Sequence, residues 1–454
     1  MKRNVIIFYL ILLILIVNTQ RGYCASFVRE YVNFKALTTS KLNFLLKSGA
    51  KINEKDNSGK TPLMLAIINE APTDIVQQMI NRGAKINSKD KSGTNAAIYC
   101  IKTGKNADIL RLLLGTKGYV NVTDKSGKTA LMYACMNADP EMMHIVLSSY
   151  DYKLNDHDKE GMTALSQAAM VQDAPEIDAL ISAGADISVN YELGNAKKPM
   201  LVTLLMLASI YNPHPDAIRE LIRVGGKIDE KSSTGLNALM LAAMYNKNPK
   251  VLDVFKEYDA DFNIRYIDGK SLFMLAACQN KNPQVLQHLI ELGTDYQEVS
   301  GDGTSALMMA AQYNPNLEVL MALNKIGLDY TTRDKRGETL LMYASRNRNP
   351  EIVKFLLQRG MFVNERDYDS WTALMHAASF GTNPEVVKVL LAFGADPKMK
   401  DKNGRTAWDH ILWTSNQLRN FKQDNGVMMN SDVNELLYLA QSKKESADIK
   451  PCKN

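Results

Sequence analysis

Along most of the chain a polar turn, a short run of small and apolar residues, a second polar break and a longer apolar stripe follow one another at near-constant spacing. The clearest marker is a Gly-x-Thr-x-Leu-Met phrase, seen as Gly127-Lys128-Thr129-Ala130-Leu131-Met132. The residues at its Thr position are Thr61, Asn95, Thr129, Thr163, Thr203, Asn237, Ser271, Ser305, Thr339, Thr372 and Thr406. Of the ten intervals between them, eight are 34 residues, one is 33 and one is 40. A chain of 454 residues would ordinarily divide into several domains. Self-similarity at this period points instead to one supersecondary unit stacked many times.

Each unit predicts the same elements. An Asp and a Gly shape a turn, as in Asp334-Lys335-Arg336-Gly337, and the Thr, Ser or Asn that follows can cap a first helix. That helix presents small and apolar residues, such as Leu374, Met375, Ala377 and Ala378, so neighbouring helices can approach closely. Asn or Asp before Pro announces the second helix, at Asp139-Pro140, Asn248-Pro249, Asn282-Pro283, Asn349-Pro350 and Asn383-Pro384. The side chain caps free N–H groups there, and Pro fits a first helical turn without losing a bond. Glu141, Glu351 and Glu385 then favour the positive end of the helix dipole. An apolar stripe (Val386, Val387, Leu390, Leu391) follows, and Gly closes the helix at 83, 184, 225, 293, 360 and 394.

Tetratricopeptide repeats also run about 34 residues, so the period leaves two architectures open. The wording separates them. Thr61-Pro62-Leu63-Met64-Leu65-Ala66 resembles the ankyrin Thr-Pro-Leu-His-x-Ala phrase, and Phe393-Gly394-Ala395-Asp396 resembles its Gly-Ala-Asp ending. The resemblance to the ankyrin repeat family covers residues 36–443: a partial N-terminal repeat plus eleven repeats, the last a capping repeat. It implies an all-α solenoid of helix-turn-helix units joined by short β-hairpin-like fingers. Met replaces the family His in most copies (Met64, Met132, Met240, Met308, Met342, Met375), which implies that some local polar bonding is lost. Terminal repeats should be atypical, since no unit buries its apolar face alone. Ala36–Ala50 supplies only a second helix, and after Thr406 the chain turns irregular, with Trp408 and Trp413 and a last helix from about 432 to 443. Residues 444–454 read as a mobile tail.

Residues 1–26 have a basic start (Lys2, Arg3), an apolar run from Val5 to Val17 and a polar end with small residues. That is the layout of a secretory signal peptide, its apolar core being short for a membrane span. Cutting after Cys24, Ala25 or Ser26 fits about equally, because Tyr23 is too large for the position that cutting after Ala25 prefers. The expectation is therefore a periplasmic or secreted protein, with a membrane-tethered one as the alternative if residues 5–17 stay uncleaved as an anchor. The signal and the Lys/Asn/Ile-rich wording point to a bacterial source. The formal charge of +5 includes three positives from this segment (Lys2, Arg3, Arg21), leaving +2 for the rest. Such a balance gives no basic footprint for nucleic acid. The five cysteines form no CxxC, and Cys100, Cys135 and Cys278 fall where the repeat wants a small buried residue.

Catalytic chemistry has no visible basis. His144, His157, His214, His288, His376 and His410 lie in different repeats or faces without metal-ligand spacing. Gly-rich phosphate loops and nucleophile elbows are missing, and the Asp-x-x-Gly turns lack the dense carboxylates of calcium loops. An enzyme or metal-binding protein is the remote alternative; no cofactor is expected. The resemblance implies a non-catalytic scaffold, monomeric, that binds a partner protein on the concave face made by the fingers and first helices.

Eight residues after the Thr, where the family varies, stand Tyr211, Tyr245, Tyr313 and Phe380, and Trp371 directly precedes Thr372. Aromatics exposed in a groove are the usual material of interface hot spots, so these five are the candidate partner-binding residues. The competing expectation is that some pack between fingers and finish the core, as Tyr99, Tyr133 and Tyr343 should, three or four residues earlier in the phrase. The long interval enlarges one finger at Asn190–Val202 and offers Lys197 and Lys198 as a further contact, or a tolerated loop insertion.

Overall fold

A computed structural model describes residues 26–27, 33–137, 139–149, 152–194, 197–380, 383–411 and 437. The expected signal peptide (residues 1–26), Trp413, the last helix and the tail lie outside these, apart from the buried Ser26 and Leu437. The described residues form twenty-one α-helices, one 3-10 helix and two three-residue strands, an all-α ankyrin solenoid. None of these helices is long and apolar enough to cross a membrane. The chain divides into two compact units, Met1–Glu192 and Leu193–Asn454, the division falling inside the enlarged finger.

The first unit opens with the 3-10 helix Phe34–Ala36 and the lone helix Thr39–Lys47, as expected of a partial repeat. Four helix pairs follow, from Pro62–Ile68 with Thr73–Asn81 to Ala164–Val171 with Ala174–Ser182. The second unit holds six pairs, from Leu204–Tyr211 with Pro215–Arg223 to Ala373–Phe380 with Pro384–Ala392. In each pair the two helices have different jobs. The first is enclosed on nearly every side: in Leu272–Gln279 every residue but the last is buried, because the same helix of each neighbouring repeat packs against it. The second is amphipathic; Pro215–Arg223 buries only Ala217, Ile218 and Leu221.

The helix starts are built as the sequence predicts, with one correction. Thr129 Oγ1 accepts the Met132 N–H at 3.2 Å, and the Met132 sulfur accepts the Thr129 N–H at 3.4 Å. Thr61 with Met64 and Thr339 with Met342 repeat the exchange. Methionine therefore keeps a capping-box contact through its weak sulfur acceptor, so the bonding expected to be lost is retained in these copies. At the second helices, Asn282, Asn316, Asn349 and Asn383 each accept an N–H two residues on, at 3.0–3.1 Å.

Fingers stack through backbone bonds one repeat apart. Lys91, Lys125 and Lys159 N–H groups donate to Ser58, Ser92 and Ser126 carbonyls in the first unit. Lys335, Tyr368 and Lys402 donate likewise to Asp302, Arg336 and Asp369 in the second. Gly127 shows why the turn needs glycine. Its φ is +87°, and a Cβ there would lie 3.0 Å from the Asp158 Cα of the next finger.

Candidate functional site

Turn aspartates define one edge of several fingers, at Asp56, Asp90, Asp124, Asp158, Asp334, Asp367 and Asp401. Asp124 Oδ1 accepts the Ser126 and Lys128 N–H groups, and its Oδ2 accepts the Tyr133 hydroxyl at 2.6 Å. Tyr99 with Asp90 and Tyr343 with Asp334 do the same. These carboxylates are spent on their own loops, which is why the Asp-x-x-Gly turns are structural. The Asp124 carboxyl sits below its usual range: burial opposes ionisation, but the Ser126 and Tyr133 hydroxyls and the loop amides outweigh it. Tyr343 is buried as expected, whereas Tyr99 and Tyr133 are half-buried.

The four helix-end aromatics share one register position, the last residue of the first helix of their repeats. All are exposed: Tyr211 by 52%, Tyr245 by 42%, Tyr313 by 52% and Phe380 by 58%. Tyr245 is the least exposed of the four, and burial raises its phenol above its usual pKa. Trp371 is different, and half-buried. Its ring centroid lies 4.1 Å from His410, 5.1 Å from His376 and 6.1 Å from Phe380. The competing expectation, that some of these aromatics pack between fingers, thus describes much of Trp371. Lys197 and Lys198 are exposed in the enlarged finger.

Three consecutive repeats of the second unit enclose a cleft of about 840 Å³ that brings together Tyr313, Trp371 and Phe380. Tyr211 and Tyr245 do not line it. The rest of its lining was not legible as a site. Arg336, Glu338, Arg346, Asp367 and His376 form a continuous polar chain there. Arg336 Nη2 pairs with Glu338 Oε1 at 3.0 Å, and Arg346 Nη2 pairs with Glu338 Oε2. Arg346 Nη2 also reaches His376 Nδ1 at 2.8 Å, and His376 Nε2 faces Asp367 Oδ2 at 3.3 Å.

A guanidinium only donates, so His376 Nδ1 must be the acceptor. The proton then sits on Nε2 and is donated to Asp367, which fixes a neutral imidazole. Burial, helped by the Arg346 charge, pushes His376 below its usual pKa in the same sense. Asp367 stays ionised below its ordinary range: burial opposes it, but the His376 bond and the Asp369 and Trp371 amides prevail.

Glu338, Asp367 and His376 bring three ligand-type atoms within 4.8 Å of one another. The sequence spacing concealed this, because the three come from adjacent fingers and a first helix, and only one of them is a histidine. The cluster is still a poor cation site. Arg346 already places its positive guanidinium between Glu338 and His376, and a metal would have to displace it. Elsewhere His288 pairs with Asp253 and Glu291 on second helices, remote from this chain of bonds in sequence and partners. Cys100, Cys135 and Cys278 are buried free thiols; burial pushes Cys100 to about 12 and Cys278 to about 11, outside the range of reactive cysteines.

Paired helices of unequal burial, Thr-capped first helices and hydrogen-bonded fingers define a class, the helix-turn-helix repeat stack with projecting turns. The particular family follows from direct comparison. "Ankyrin repeats (3 copies)" matches residues 35–124, 98–191 and 273–367, and "Ankyrin repeats (many copies)" matches residues 348–391, together more than half of the chain. The chain belongs to the ankyrin repeat family. Ankyrin repeats are generally protein–protein interaction modules and typically non-catalytic. No curated protein matches the chain.

Proposed function

We propose that this chain is a non-catalytic, monomeric scaffold that binds a partner protein on the concave face of its ankyrin solenoid. We further propose that it is a bacterial protein exported to the periplasm or the medium by residues 1–26. The observation that carries the binding role is the set of exposed aromatics at one register position, Tyr211, Tyr245, Tyr313 and Phe380, with the Trp371 cleft beside the last two. Large rings exposed together on a soluble protein's surface are the material of interface anchors. Four separate repeats spend their exposed helix-end position on an aromatic, where a capping or core role would have served with a small or polar residue. The export role rests on the signal layout, and the enlarged finger with Lys197 and Lys198 is a secondary contact.

The test is affinity capture from envelope and medium fractions with the mature protein and with its Tyr211→Ala, Tyr245→Ala, Tyr313→Ala, Phe380→Ala variant, both verified by circular dichroism. A protein retained by the first and lost by the second supports the reading. Retention by both moves the contact to another face, and capture of nothing contradicts the scaffold. N-terminal sequencing of the exported form tests the signal: a start near Ala25–Phe27 is expected, and an intact Met1 in a membrane pellet overturns it.

A further inference from the structure

The cleft between Tyr313 and Trp371 has an electrostatic asymmetry that says what it would take. Its three carboxylates are already engaged. Glu338 pairs with Arg336 and Arg346, Asp367 accepts from His376 and two amides, and Asp369 faces Lys402 at 3.6 Å. The guanidiniums are not all engaged. The exposed Arg348 side chain makes no ion pair among the described residues, and the buried Nε of Arg346 has no acceptor. The reachable capacity left open by charged groups is therefore the donor capacity of Arg348. Beside these donors lie the stacked Trp371 and Phe380 rings and Tyr313.

Resting on the scaffold reading above, the geometry points to an acidic side chain of the partner, flanked by an aromatic or aliphatic residue, as the occupant of this cleft. Arg348 holds its carboxylate by charge-assisted hydrogen bonds, and Trp371, Phe380 and Tyr313 receive the apolar neighbour. A basic side chain fits poorly, because each carboxylate it could reach already has its cation or its proton donors. The cleft is thereby a selectivity pocket within a broader aromatic face, which rejects neutral and basic segments that the rings alone would accept.

Three acetylated, amidated peptides of sequence Ser-Gly-Phe-Glu-Leu-Gly-Ser, or with Gln or Lys replacing Glu, are titrated into the full chain. Binding is followed by calorimetry and by tryptophan fluorescence. The Glu peptide should bind about ten-fold tighter than the Gln peptide, with the Lys peptide weakest, and the preference should shrink with salt. Arg348→Gln, a change at an exposed residue that leaves the fold intact, should abolish the Glu-over-Gln preference. Equal binding of Glu and Gln peptides, a preference for Lys, or binding of none overturns the inference. The partner captured above then separates the two ideas. If it is lost with the four-aromatic variant but bound normally by Arg348→Gln, the acidic pocket falls and the scaffold stands. If neither variant affects it, the scaffold face itself falls.

Discussion

A finger-base staple joins repeats in both units, once in the second, where Asn364 donates to the Gly394 carbonyl and accepts the Asp396 N–H, but the staple that recurs differs. In the first, the recurrent staple is at the finger base. Asn53, Asn87 and Asn155 each donate to the carbonyl of Gly83, Lys117 or Gly184 and accept the N–H of Lys85, Tyr119 or Asp186 in the next repeat. In the second, it lies between the helices of four successive pairs. Asn246, Asn280, Asn314 and Asn347 are buried, and each donates to two carbonyls of the preceding repeat; Asn280, for instance, reaches Ala243 and Asn246 at 2.9 Å each. Two residues on, Asn248, Asn282, Asn316, Asn349 and Asn383 form a parallel, more exposed row. The corresponding loops of the first unit improvise, with Gly104 in a left-handed turn and Gln172 reaching Cys135.

The difference teaches where precision is invested. A carboxamide is donor and acceptor at once, so one residue satisfies loop amides of its own repeat and carbonyls of the last. The second unit repeats this in four successive repeats, directly after Tyr245 and Tyr313, whereas Phe380 is followed by Gly381. Of the rings proposed above as anchors, Tyr245 and Tyr313 sit on this more regular platform, in keeping with anchors positioned by a rigid scaffold.

The strongest way to break the comparison is Asn280→Ala. It removes two buried donors and the acceptor of the Asn282 N–H, and should cost about 3 kcal/mol in urea unfolding. A cost within that of an exposed site would refute the ladder's role. Next, Arg346→Met leaves buried Glu338 with Arg336 alone and should cost about 2 kcal/mol by the same measurement; a neutral outcome would mean the chain of bonds contributes nothing.

The third uses pH. His376 is held neutral, so its folded pKa is depressed and the unfolded chain takes up its proton first. Stability is full above the unfolded value near 6.5 and falls as pH drops through it toward the folded value. His410, likewise depressed chiefly by burial, acts in the same window. His376→Gln can keep both bonds without titrating, so thermal melts from pH 7 to 5 should show a shallower loss, and none of this component in the variant that also carries His410→Gln. An unchanged slope would contradict the neutral imidazole.

At the small end, Asn53→Ala should cost about 1 kcal/mol, the first unit's staple being exposed, and Tyr313→Ala within about 0.5 kcal/mol. A larger loss at Tyr313 would make it a packing residue.

Much of this fold was legible because its cues are local. The Thr caps, the Asn before Pro and the closing glycines act within a few residues, and their recurrence made the repeat plain. The register of the aromatics was readable for the same reason. The Asn246–Asn347 ladder was missed although its residues recur two positions before the capping Asn, because its partners lie one repeat back and polar residues between helices read as loop. The polar chain of the cleft was hidden similarly: Glu338, Arg346 and His376 occupy unlike positions in their repeats and meet only when the fingers stack. Trp371 was legible as a groove residue and lines the cleft, but the sequence could not place His410 against its ring.

Hydrogen exchange on the protein with and without its captured partner probes binding at the aromatic face without any substitution. Added protection should concentrate in the second unit, at the first-helix ends near Tyr211, Tyr245, Tyr313 and Phe380 and at the fingers around Asp334–Glu338 and Asp367–Trp371. Protection confined to the second helices, such as Pro283–Glu291 and Pro350–Gln358, or to the first unit, would contradict it.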